Sequence, residues 1–228
     1  MSLTVKSKVE VPELIERRRG QIIAAAIELF GERGYHDTTI RDIAKKASIS
    51  IGTIYQYVTD KEDVLFLALI EVLDSYLRRI PSALEGLTEP LERFRAAVAA
   101  YCAVNDEKTA ATVLAYRETA SLRKVRRNLI KQKEVETNRL IATCIEDCVA
   151  AGLFEKIDIE LFTYQIVMFS HAWALKAWRF RKLMSLRDYI ERGLALMLNP
   201  VLTARGKRKF AQAERKLHTS DIVKLTQD

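Results

Sequence analysis

Apolar residues recur at the three-to-four-residue spacing of a helix face along almost the whole chain, and little interrupts them. Eight Gly and four Pro in 228 residues are too few for the turn-rich connections of a sandwich or barrel. An all-α fold is therefore expected. Ile15, Ile22, Ala26, Leu29 and Phe30 mark a first helix over residues 13–33, with Gly34 placed for a left-handed cap. Thr39 and Asp42 have capping-box spacing before Ile40, Ile43, Ala44 and Ala47, a helix of barely two turns. Ser50 can cap a third short helix over residues 51–57, with Ile49 and Ile54 as its inward anchors. Longer helical patterns follow, from residue 61 to Pro81 and then over 90–104, 109–119, 124–151, 158–181 and 185–198, with breaks at Gly86, Asn105, Gly152 and Asn199-Pro200.

Helices of seven residues are not stable alone and must pack on a neighbour. Two of them joined by a three-to-four-residue turn and braced by a longer one form a helix-turn-helix unit, whose second helix can enter a DNA major groove. The side chains suit that use. Ile54 and Val58 face inward, leaving Thr53, Tyr55, Gln56 and Tyr57 outward, and Gly52 lets the helix approach a backbone closely. Gln56 can read an adenine edge, Arg41 a guanine edge, and Lys61 can neutralise a phosphate.

Charge alone argues less. The formal net charge is +7, divided as +1 over residues 1–60, +2 over 61–204 and +4 over 205–228. The excess lies in the tail, which is expected to be poorly ordered. A non-specific architectural DNA binder using that tail is one alternative.

Cys102, Cys144 and Cys148 fit neither a disulfide framework nor a zinc site, and Cys144 and Cys148 stand one turn apart as on a packed face. His36, His171 and His218 have no metal-ligand spacing, and the sequence has no phosphate-cradling Gly-rich loop and no nucleophile beside a placed base. Neither a metal, a cofactor nor an enzymatic activity is expected. The start has no secretory pattern, and the apolar stretch 161–178 carries Gln165, His171 and Lys176, so no membrane association and a cytoplasmic location are expected.

Residues 17–65 resemble the TetR family of bacterial transcriptional regulators through three linked segments in order. These are Ile23-Ala-Ala-Ala-Ile-Glu-Leu-Phe-Gly-Glu-Arg-Gly-Tyr35, Thr38-Thr-Ile-Arg-Asp-Ile-Ala44 and Gly52-Thr-Ile-Tyr-Gln-Tyr-Val-Thr-Asp-Lys-Glu62. The resemblance implies a homodimeric repressor released from a palindromic operator by a small-molecule effector. It implies a DNA-binding domain, placed at 13–60, and an effector and dimerisation domain, placed at 61–204; a flexible arm at 1–12 and the basic tail at 205–228 are expected to flank them. DNA contact falls to Thr39, Arg41, Ile51, Gly52, Thr53, Tyr55, Gln56, Tyr57 and Lys61. Ser48 stands where the family commonly has Gly in its turn; a left-handed backbone there would cost about 1–2 kcal/mol.

In the second half, Tyr101, Tyr116, Arg117, Asn138, Gln165, Phe169 and Trp173, with Tyr164, His171 and Trp178, stand where a plain core would have Leu. The first seven are the candidate effector-binding residues. The helical layout here is similar to members that sense fatty acids or their coenzyme A thioesters, which implies an acyl-CoA effector and a place in fatty acid metabolism, with Arg117, Arg123, Lys124 or Arg127 available for its phosphates. An unrelated apolar or aromatic effector is the alternative. Phe162, Ile166, Ala177, Tyr189, Leu194, Met197 and Leu198, with Phe169 and Trp173 on the same side, are the expected dimer face of the last two helices.

Overall fold

The computed structural model describes residues 5–213. Helices follow in the order α1 (Pro12–Arg33), α2 (Ile40–Lys46), α3 (Ile51–Tyr57), α4 (Lys61–Ala83), α5 (Pro90–Glu107), α6 (Thr109–Glu118), a short 3-10 turn (Thr119–Ser121), α7 (Lys124–Ala150), α8 (Ile159–Leu175), α9 (Ala177–Leu183) and α10 (Leu186–Leu198). Residues 204–213 are helical as well. Among the described residues the only β pairing is an isolated bridge between Phe154 and Leu202.

Two compact units emerge, and they do not divide at residue 60 as the sequence suggested. One is the chain up to Ser75 together with Lys108–Val135; the other is Tyr76–Glu107 with the chain from Glu136 onward. In the first unit α1, α2 and α3 pack on one another and α6 packs on α1. Its core holds Ile22, Ala26, Phe30, Ile43, Ile54, Leu65 and Leu69. In the second unit α5 packs against α8 and α10, burying Phe94, Val98, Cys102, Ile141, Ile145 and Ile166.

The expected caps are present. Thr39 Oγ1 accepts from the Asp42 amide at 3.2 Å while Asp42 Oδ2 accepts from the Thr39 amide at 2.9 Å, and Ser50 Oγ accepts from the Thr53 amide at 3.0 Å. Gly34 has φ 87° and ψ 159°, a region open essentially to glycine alone but not the left-handed helical cap expected. Asn105 does not break its helix: it is fully buried within α5, where its side-chain amide donates to the Tyr101 carbonyl at 3.2 Å. The expected helix over 158–181 is instead two, separated at Lys176.

Ser48 adopts φ 55°, the left-handed conformation that a side chain disfavours. Relief of that strain, partly offset by the larger backbone entropy of unfolded glycine, makes Ser48→Gly more stable by about 1 kcal/mol. A urea titration reads this as a raised midpoint at constant slope.

Both ends depart from expectation. Residues 5–11 are docked rather than flexible, with Val5 buried and the Lys8 amide donating to the Gln56 carbonyl at 2.7 Å. At the other end, residues 205–213 are not an irregular tail. Phe210 is buried and its ring lies 5.1 Å from the Arg95 guanidinium carbon, while Gly206 sits so close to the Leu153 carbonyl that a Cβ would meet its oxygen at 2.0 Å. Residues 1–4 and 214–228 lie outside the described residues, so the expectations for the rest of the arm and tail fall there.

Candidate nucleic-acid interface and candidate effector cluster

The surface built by α2 and α3 carries most of the expected contact residues outward. Thr39, Arg41, Ile51, Gly52, Tyr55 and Gln56 are exposed, and Thr53 is half-buried with its hydroxyl 2.8 Å from that of Ser50. Ile54 is fully buried beneath them and holds α3 on the first unit's core. A Cβ on Gly52 would meet only Ser50 Oγ, at 3.7 Å, so no packing inside the chain demands a glycine there. An outside body approaching α3 closely is a reason for one.

Two expected contacts are corrected. Tyr57 is 3% exposed and belongs to the core: in a seven-residue helix it falls on the side of Ile54, not of Tyr55. Lys61 is consumed internally. Its ammonium donates to the carbonyls of Tyr35 at 2.7 Å, His36 at 3.0 Å and Thr38 at 2.7 Å, and lies 4.5 Å from the Tyr35 ring centre. These are all three donors a lysine has. Burial holds its pKa below the ordinary lysine value. It ties the α1–α2 connection to the start of α4 and has no proton left for a phosphate.

Arg19, which the sequence reading passed over, fills a gap at the end of α3. A helix leaves its last carbonyls without partners, and this helix is short. Arg19 donates to the Tyr57 carbonyl from Nε at 3.2 Å and Nη2 at 3.0 Å, and Nη2 also reaches the Val5 carbonyl. The Gln56 carbonyl accepts from the Lys8 amide and from Ser7 Oγ at 3.2 Å. Nothing in the local spacing signals these bonds, because Arg19 and Tyr57 are 38 residues apart.

At the start of α4 a set of carboxylates meets the beginning of α7. Arg123 pairs with Glu62 and with Asp60 at 2.7 Å, and Arg126 pairs with Asp63. Arg123, expected to serve effector phosphates, is therefore engaged with carboxylates.

The expected effector residues are divided between the two units. Tyr116 and Arg117 are exposed on α6 in the first unit, while the remaining five belong to the second. Of those, Gln165 is exposed on α8, and Phe169 and Trp173 are built into packing with α9 and α10. Phe169 stacks on Tyr189 at 4.6 Å between ring centres, and Trp173 Nε1 donates to Asp106 Oδ1 at 2.7 Å. Within the second unit, Tyr101 and Asn138 come together.

Around them is a buried polar cluster. Tyr101 OH lies 3.5 Å from Asn138 Oδ1 and 3.2 Å from His171 Nε2; its ring stacks on Tyr76 at 4.0 Å, and Tyr76 OH donates to Asn105 Oδ1 at 2.7 Å. Asn138 Nδ2 is buried with no hydrogen-bond partner, an unusual state for a group that costs about 1–3 kcal/mol to leave unpaired. Burial pushes the His171 pKa down to about 4, so the ring is neutral at pH 7.

That depression has a consequence for stability. The unfolded imidazole takes a proton near its ordinary 6.5, so the unfolded state binds more protons between pH 6.5 and about 4, and stability falls as pH falls through that window. The loss amounts to roughly 3 kcal/mol by the bottom of it. Denaturant unfolding of His171→Gln between pH 7 and 4 should show a flatter profile than the parent by about that amount.

Several residues expected at a dimer face are turned into the protomer. Ile166, Tyr189, Leu194 and Leu198 are buried within the protomer, and Phe162, Ala177 and Met197 are half-buried. The outward apolar residues are instead Leu161, Tyr164 and Met168 on α8, Trp178 and Leu183 on α9, and Leu196 on α10. The cysteines are free and buried, with burial pushing their pKa values up to about 12, 11 and 12 at Cys102, Cys144 and Cys148. Among the described residues no His, Cys, Asp and Glu converge to hold a metal, and no helix is long and apolar enough to cross a membrane.

A two-turn helix packed on α1 and α2, with polar and aromatic side chains outward, defines a helix-turn-helix DNA-binding regulator. The comparisons agree. Residues 22–68 match the family model of bacterial regulatory proteins, tetR family, and residues 87–178 match the tetracyclin repressor-like C-terminal domain. The HTH-type transcriptional regulator HbdR of Aromatoleum sp. (strain CIB) is 53% identical over 212 residues, 93% of each chain. A bacterial regulatory protein in the tetR family from Rhodococcus RHA1 has TM-score 0.75 and 26% identity, covering 82% of this chain and 98% of that one. AibR in complex with isovaleryl coenzyme A and operator DNA has TM-score 0.68 and 18% identity over 78% and 97% of the two chains, a likeness of fold alone. The chain belongs to the TetR family of helix-turn-helix transcriptional regulators.

Proposed function

We propose that the protein is a homodimeric repressor of a palindromic operator, released by an acyl-CoA. The outward display of Arg41, Tyr55 and Gln56 around an unobstructed Gly52 carries the DNA half of this reading. Two copies of α3 one helical turn apart would read the half-sites of the palindrome. The exposed Leu161, Tyr164, Met168 and Leu196 supply the apolar surface through which a second copy would pair.

For the effector, the supporting observation is the unpartnered Asn138 amide beside Tyr101 and neutral His171. An amide N–H donates well to a carbonyl oxygen, and a neutral ring brings no charge for a free carboxylate, so the cluster suits the uncharged carbonyl of a thioester. AibR, solved with isovaleryl coenzyme A, has the same fold. Release requires only that the effector favour one spacing of the recognition helices; a coupling of about 1–3 kcal/mol changes operator affinity about 5- to 150-fold.

Fluorescence anisotropy at fixed salt tests both halves. The protein should bind a palindrome from its own promoter more tightly than a scrambled duplex, and equal affinity overturns the operator reading. Short-, medium- and long-chain acyl-CoAs are then titrated into the complex. Failure of every chain length to release DNA removes the acyl-CoA assignment and leaves the operator reading standing.

A further inference from the structure

The N-terminal arm does more than precede α1. Its first described residue, Val5, is buried, and its carbonyl is held by Arg19, the same side chain that caps the last carbonyl of α3. Ser7 Oγ and the Lys8 amide both donate to the Gln56 carbonyl, and Ser7 Oγ in turn accepts from the Val9 amide at 3.1 Å. The backbone of Lys8 is thus 2.7 Å from the backbone of the residue whose exposed side chain is the candidate adenine reader. Lys6 and Lys8 are exposed on either side of the Ser7 anchor. Glu10 and Glu13, the nearest carboxylates in sequence, follow these lysines, Glu10 just before α1 and Glu13 in its first turn.

We infer that residues 5–9 are a second DNA-contacting element, strapped to the end of the recognition helix so that Lys6 and Lys8 neutralise operator phosphates beside the groove α3 reads. The inference rests on the DNA-binding reading above. An arm held by backbone bonds presents its lysines at a fixed place without the ordering cost of a free terminus, and an ammonium on a long flexible stem suits a phosphate contact more than a base edge.

Contacts of this kind leave a specific signature. Each neutralised phosphate adds about 0.9 to the slope of log affinity against log salt. The test compares the full-length protein with Lys6→Ala/Lys8→Ala, measuring affinity for the palindrome and for a scrambled duplex from 50 to 300 mM KCl. Circular dichroism and a thermal melt check the fold, which two exposed side chains should leave intact. The expected result is a slope shallower by about 2 per protomer, with both duplexes weakened in proportion and the preference for the palindrome retained. An unchanged slope overturns the inference, whether or not affinity falls, since a loss without a salt signature is not a phosphate contact. If the parent protein itself shows no preference for the palindrome, the operator reading fails first and this inference with it; a parent that discriminates while the variant keeps its slope overturns the arm alone.

Discussion

Arg41→Ala weakens binding to the proposed palindromic operator by about 5- to 150-fold per half-site while leaving affinity for random duplex nearly unchanged. The expectation follows from position and geometry. Arg41 lies one residue inside the first turn of α2, exposed, on a helix whose start is fixed by the reciprocal Thr39–Asp42 cap. A guanidinium presented this way can make two parallel bonds to guanine, worth about 1–3 kcal/mol of discrimination. In a symmetric dimer the loss is felt at both half-sites, so the two effects together reach roughly 2–6 kcal/mol if the sites act independently. Anisotropy on the palindrome and a scrambled duplex at one salt concentration reads the result. A variant weakened equally on both duplexes would place Arg41 on a phosphate, and one with no loss would remove it from the interface.

The second large effect is on stability. Arg126→Ala should cost about 3 kcal/mol, because Asp63 is only 2% exposed and its carboxylate pairs with that guanidinium. Asp63 also accepts from the Thr59 amide at 2.6 Å, and its own amide is capped by Asp60 at 2.8 Å, so the carboxylate cannot swing into water without undoing the start of α4. Removing the arginine leaves a buried charge with too few partners and strips a cation from the Phe66 ring, 5.3 Å away. Arg123→Ala, in contrast, removes an arginine that is 66% exposed and should cost under about 1 kcal/mol. Urea unfolding of both variants, with Arg126→Met/Asp63→Asn as the rescue, separates a lost ion pair from lost packing. A cost under 1 kcal/mol for Arg126→Ala would mean that the pair does not hold α7 to α4.

What could be read ahead of the structure was local. The caps at Thr39 and Ser50 need only residues within three positions, whereas the turn at Ser48 is legible only through the family resemblance, whose members commonly have Gly there. The phase of a helix that is apolar on every side could not be read. Leu161, Phe162, Tyr164, Ile166, Val167 and Phe169 surround α8, so which of them face inward is decided by α5 and α10, and the side chosen for dimerisation was largely the buried one. Tyr57 failed for a related reason: two turns of helix give too short a stripe to assign a flanking aromatic. Lys61 and Arg19 were misread or missed because their partners, carbonyl oxygens 14 to 38 residues away, have no sequence identity to betray them. The break at Lys176 has no Gly or Pro to announce it; it accompanies the convergence of Trp173 and Arg181 on Asp106.

The packing of residues 204–213 bears on where the chain can be shortened. The Thr203 amide bonds the Leu153 carbonyl, and the Glu155 amide bonds the Val201 carbonyl, so the segment after α10 is stitched to the α7–α8 connection before its final helix covers Arg95 with Phe210. A stop codon placed at the first basic residue, Arg205, would therefore remove the helix that carries Phe210 into the second unit's interior along with the basic run of 205–209, whereas one placed after residue 213 would keep that helix and take away Arg215, Lys216 and Lys224 together with as many acidic residues, Glu214, Asp221 and Asp228.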